Sequence, residues 1–280
     1  MIATMAASRG GAHLAKNTST GLRVTQARVL RSEWTKFTSL RSTLYTLLVA
    51  VVLTVGFGAL FAAVTANQYA RFSPAELARF NPIITSLDGV TFSVLAVGVL
   101  GVLLMSGEYG TGMIRASLSV VPRRLPVLWG KLAVFTGVVL IVSVAATLSA
   151  FLLGQYLLSS NGLGVGLSAA GAVRSVVGAA LYLTVAGLIG VSLGALFRNT
   201  AAAISTFVAV FFVLPPLTLL LPASWTANFA QYLPSNAGGA LFGLDRITNP
   251  LAPWTGFAVL CGYAAVLIGV AAWQLRRVDA

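Results

Sequence analysis

Only one histidine and one cysteine occur in the chain, His13 and Cys261, so it holds neither a His/Cys metal cluster nor a plausible Cys–His nucleophile pair. A lone cysteine also excludes an internal disulfide framework. Cys261 falls in an apolar run and reads as a small core- or lipid-facing residue. Acid–base chemistry is equally thin. The six Asp and Glu residues avoid the centres of the apolar runs, which removes the paired carboxylates or Ser–His pair of an intramembrane hydrolase. A G-x-x-x-x-G-K-[ST] loop is missing too: Gly130–Lys131 is followed by Leu132 and lacks the upstream glycine. The chain is therefore expected not to be an enzyme and to bind no cofactor directly.

The segment with the most chemical content is Glu108–Lys131, EYGTGMIRASLSVVPRRLPVLWGK. Gly110 gives its backbone freedom to turn, and the segment is basic from Arg115 onward. Met113, Ile114, Leu118 and Val121 fall on one side of a short helix, with Arg115 on its flank, and Pro122 ends it before Arg123 and Arg124. An apolar patch edged by charge is a docking surface for a partner protein, or else the segment is an ordinary basic loop between spans. Residues 22–41 form a second such element. Ala27, Leu30, Trp34, Phe37 and Leu40 share a helical face, while Arg28, Arg31 and Lys36 lie away from it. Arg23 and Arg41 interrupt the stripe. The expectation is an interfacial amphipathic helix with Trp34 and Phe37 toward lipid and Trp34 at headgroup depth; a purely topogenic basic flank is the alternative.

Both segments must be positioned by something, and that something is a membrane. Of 280 residues 58% are hydrophobic and 9% charged, with mean hydropathy +0.91; a soluble surface needs about 25% charged residues. Uncharged runs occupy 42–70, 89–107, 132–173, 175–197, 199–244 and 247–275. Since about 20 apolar residues cross the hydrocarbon core, we expect six spanning helices near 44–66, 89–107, 132–157, 175–197, 200–220 and 253–275. The fold class is all-α and polytopic. Residues 22–280 then form one transmembrane domain, with a disordered tail over 1–21 and a polar loop after 157. Pro215, Pro216, Pro222 and Pro234 forbid one straight helix through 199–244. Trp225–Gly243 suits either a segment re-entering the membrane under protein cover or a plain external loop. Gly187, Gly190 and Gly194 allow close helix approach within the subunit or, alternatively, across a dimer seam.

The net charge of +12 comes from 18 Lys and Arg against 6 Asp and Glu. Basic residues cluster at the ends of apolar runs rather than on a face with interleaved aromatics, so topology accounts for them and nucleic acid does not. With the N-terminus inside, eleven Lys or Arg near span ends fall on the inner side and four on the outer side, which makes both termini cytoplasmic and the cell membrane the expected location. No cleavable signal peptide is read at the N-terminus. The absence of a charge at the centre of any span argues against a proton- or sodium-coupled pump.

Four stretches resemble one family. Glu108, Gly110–Thr111, Arg115, Pro122, Arg123–Arg124 and Lys131 look like the first cytoplasmic loop of ABC-2-type exporter permeases. RSEWTKFTSLRSTLYTLL from Arg31 to Leu48, FRNTAAA from Phe197 to Ala203 and YLPSNAG from Tyr232 to Gly238 are similar to segments of the same family, in order along nearly the whole chain. The resemblance implies a permease half that pairs with an identical or different second half and with separate ATP-binding subunits, so that ATP is bound by the partner. It implies that Glu108–Lys131 forms a coupling helix docked in the ATPase, with Glu108, Gly110, Thr111, Arg115 and Arg124 at that contact, and that 222–244 is re-entrant and helps close an outer gate. The long N-terminal tail and the scarcity of polar residues in the spans depart from the family pattern. Two other readings stay open: a membrane scaffold or sensor that recruits a cytoplasmic partner without transport, and a membrane-embedded enzyme, which the missing catalytic groups disfavour. The substrate is not written in the sequence.

Overall fold

A computed structural model describes residues 26–110, 124–220, 222, 228–244 and 249–277. The expected tail, 1–21, lies outside the described residues. Among those described there are helices and turns but no strands, and six helices are long and apolar enough to cross a membrane. The protein is a polytopic helical membrane protein.

Helix α1, Gln26–Ser39, is followed at once by α2, Arg41–Gln68. The break is a single residue: Leu40 is extended, with φ −82° and ψ 111°, which lets α1 turn away from the first span. At the far end of α2 a short link leads into α3, Pro74–Arg79, and α4, Pro82–Leu87. Ser73 and Glu76 form a reciprocal cap on α3, and the Asn81 carboxamide caps α4 by accepting from the backbone N–H of Ile83. The remaining spans are α5, Val90–Gly110, α6, Arg124–Ser159, and α7, Ala172–Phe197. The fifth span runs from Thr200 to Leu217 and the sixth is Pro253–Arg277. All six expected spans are present, and the loop after 157 appears as turns over 160–171.

Three boundaries differ from expectation. Helix α4 extends the second candidate span back to Pro82, across the charged Asp88 that bounds the uncharged run 89–107. Helix α5 continues to Gly110 and α6 begins at Arg124, with Pro126 in its first turn, where its missing N–H costs nothing. Residues 108–110 and 124–131 of the expected loop are thus helical, and 111–123 lies outside the described residues. The fifth span is not one uniform helix. It contains α8, Thr200–Val208, a π-helical turn at Ala209–Val213 and α9, Leu214–Leu217, and it passes into a 3-10 turn at Thr218–Leu220. Pro215 and Pro216 have no N–H to give to carbonyls one turn earlier and would crowd them; the wider turn directly before them relieves that conflict.

Lipid tails are as apolar as leucine, so the spans associate through close packing rather than through escape from water. Helix α7 is the central post, buried along most of its length, with α5 its most extensive neighbour. Gly190 faces the backbone of Gly98, and Gly194 that of Val102, so closely that a β carbon on either would collide. The small residues of α7 therefore pack within the subunit. Between the fifth and sixth spans, α10, Pro234–Gly239, folds back into the bundle. Gly238 lies against the Tyr182 ring, Leu241 against Gly178 and Ala237 against Gly256. Tyr182 is ten residues into α7, roughly 15 Å along its axis at 1.5 Å per residue. The chain before the last span thus descends under protein cover, as irregular backbone at membrane depth must. The last span is α11, Pro253–Arg277.

Candidate functional site

At the end of the bundle that carries α1, four charged side chains meet. Glu33 and Phe37 are one turn apart on α1 and face inward together, leaving 4% and 3% exposed. Phe37 packs edge-on against Phe135 of α6, with ring centres 6.5 Å apart. That contact brings Glu33 to Lys131, one turn earlier on α6. The Lys131 ammonium, 3% exposed, sits 2.9 Å from Glu33 Oε2 and 2.7 Å from Glu108 Oε1. Lys36 closes the ring at 2.9 Å from Glu33 Oε1 and 3.7 Å from Glu108 Oε1. Two carboxylates and two ammoniums balance, which is the condition for holding charge out of water at all.

Burial pushes the Glu33 carboxyl up, but Lys131 and Lys36 outweigh it by charge and by hydrogen bonds, and the group is held below its ordinary value of 4.5. Burial likewise pushes the Lys36 ammonium down, and its hydrogen bond to Glu33 together with the nearby Glu108 carboxylate more than offsets it, leaving the group above 10.5. Both stay charged across the physiological range.

The end of α5 is tied on its other side too. The Arg198 guanidinium lies 5.2 Å from the centre of the Tyr109 ring, and the Thr200 hydroxyl donates to Ser106 Oγ at 2.8 Å. These contacts work because α7 and the fifth span are joined by just two residues. Arg198 adopts a left-handed backbone, φ 51°, and its N–H closes α7 on Gly194 O. Asn199 then caps the next helix by accepting from the Ala202 N–H. The last turn of α5 is consequently fastened to α1, to α6 and to the α7–α8 corner.

Of the five residues expected at a partner contact, Glu108 is 12% exposed and is engaged within the chain. Gly110 is the last residue of α5 and Arg124 the first of α6, so both stand at helix ends rather than within the expected loop. Thr111 and Arg115 lie outside the described residues. On α1, Phe37 turns into the bundle while Trp34 is 52% exposed, so the two do not share one environment; this corrects the single lipid-facing stripe. The structure adds Glu33, Lys36 and Lys131 as a set. Their sequence signal was faint: a Glu–Lys pair three apart on a helix, and one of only six acidic residues beside an apolar face.

A scan against protein-family models finds no match for this chain, and a search among curated proteins finds no relative. The arrangement must be read from its own residues. Among the described residues no group of three or more His, Cys, Asp or Glu could hold a metal. The cluster offers no free nucleophile. What it can do is mechanical: buried opposite charges at under 3 Å resist separation and fix three helices in one register.

Proposed function

We infer that the chain is a transmembrane permease half of an ATP-driven exporter of the ABC-2 type, working with a separate ATP-binding subunit and a second permease half. The reading rests on the four motif resemblances in register, on six spans, and on a charge bias that favours a cytoplasmic side for both termini and the 108–131 connection. The observation that carries it is the fastening at the end of α5. A connection that only links two spans needs no buried charge at its base, whereas one that receives force must pass it on. Here a displacement of 111–123 would reach α1 and α6 through Lys131 and the α7–α8 corner through Tyr109 and Arg198. Glu108 then acts from inside, holding the base of the connection, while Arg115 and Arg124 would meet the ATPase.

Coexpression with ABC-type ATP-binding subunits from the same genome, followed by reconstitution into vesicles, tests this. Arg115→Glu is expected to abolish copurification of the ATPase, or its stimulation, while membrane insertion persists. Normal coupling in that variant removes Arg115 from the contact. ATPase recruitment without movement of any cargo across the vesicle returns the scaffold reading.

A further inference from the structure

Beside the charge cluster the structure leaves a cavity of about 340 Å³ between α1, the start of α2 and the last turns of α5. Its wall is mainly Phe37, Leu40, Leu100, Leu103, Leu104 and Val134. The void reaches the α5 backbone, because a β carbon added at Gly107, which lines it, would meet nothing within 4 Å. Its mouth opens sideways: Leu40 and Leu103 line it and remain 50% and 39% exposed.

Water is a poor filler for such a space. A buried water needs two to four polar partners, and the wall is hydrocarbon apart from a few hydroxyls and the cluster, whose charges already pair with one another. A flexible hydrocarbon chain suits both the apolar wall and the lateral opening. The headgroup is specified by what borders the mouth. The cluster is neutral in sum, but Arg41 lies exposed between the lining residues Leu40 and Ser42, and Arg31 is exposed on α1. The surplus at the mouth is positive.

We propose that this cavity binds one acyl chain of an anionic phospholipid drawn from the leaflet that holds α1, with its phosphate held at Arg41. The lipid would complete the packing of α1 against the spans at the place where charge holds α1 to α6. This site is independent of the transporter reading, since it requires only a membrane and the fold.

Native mass spectrometry of the delipidated full chain in detergent, titrated with palmitoyl-oleoyl phosphatidylglycerol or phosphatidylcholine, tests the site. One phosphatidylglycerol per chain is expected, about fivefold tighter than phosphatidylcholine, since one basic residue near a headgroup contributes about 1 kcal/mol. Gly107→Leu and Leu104→Trp fill the cavity and should each weaken phosphatidylglycerol roughly tenfold by excluding methylenes from it. Arg41→Ala should bring the two lipids level. Ile141→Trp, at a site 72% exposed on α6, should change nothing. Thermal unfolding of each variant identifies those that keep the fold. The proposal is overturned if folded cavity-filling variants bind phosphatidylglycerol as the parent does, if the two lipids bind the parent equally, or if filling the cavity dissociates a dimer instead of releasing lipid.

Discussion

The two ends of the bundle are fastened by different chemistry. At the end that carries α1, four charges, Glu33 and Lys131 among them buried, join α1, α5 and α6. At the opposite end the corresponding junction is neutral. The Gln155 side chain, 7% exposed, donates to Pro82 O at 2.7 Å and to Ser86 Oγ at 2.9 Å, and it accepts from the Val165 N–H at 2.8 Å. Asn161 adds a bond to Ala66 O. An amide satisfies buried backbone at small desolvation cost and is indifferent to pH. A charge quartet is costly to desolvate and far costlier to leave half made. Such an arrangement is stiff while complete, and it concentrates the resistance to movement at one end. That contrast is what the proposed coupling role requires, since force enters on the side where the helices are most firmly locked.

The comparison can be broken most severely at Lys131. Replacing it with Met strands Glu33 and Glu108 beside a single remaining lysine, and unfolding in detergent should show a loss of about 3–5 kcal/mol. Adding Glu33→Gln should restore part of it. Acidity is the next lever. Glu33 is held below 4.5, so its stabilising contribution is present above that value and lost as pH falls through the lower folded one. Lys36 is held above 10.5, so its contribution is present below that value and lost as pH rises through the folded one. The melting temperature should therefore be level between the two and fall outside both, and Glu33→Gln should shrink the acid limb, to which Glu76, held low by its hydrogen bonds from Ser73, still contributes. At the neutral end, Gln155→Leu should cost less, about 1–2 kcal/mol, and by the same amount at every pH. Smallest is Arg198→Ala, which removes the contact with Tyr109 and should lower stability by about 0.5–1 kcal/mol. If Gln155→Leu proves costlier than Lys131→Met, the stiff end has been misplaced.

The two ends were also unequally legible. Run length alone gave the six spans, because hydrocarbon thickness sets it and proline and glycine punctuate it. The link before the last span could be read as chain needing protein cover. The glycines of α7 announced close packing, although the periodicity cannot name a partner helix. The charge quartet was out of reach for a definite reason. A helical face rich in Leu30, Trp34 and Phe37 reads as one lipid-facing stripe, yet α1 has two apolar surroundings, lipid on one side and α6 on the other. Phe37 takes the second and carries Glu33 with it. Glu108 and Lys131 were legible as residues of the loop but not as its foundations, since they are 23 positions apart and meet only when α5 and α6 run antiparallel.

The most direct test of the locked end is a double-mutant cycle on Glu33→Gln and Lys131→Met, read as unfolding free energy of the purified protein in detergent. A coupling of about 2 kcal/mol or more is predicted for a buried pair at 2.9 Å. A coupling near zero would mean that α1 is held by packing alone, and that the charges do not bind it to the base of the 111–123 connection.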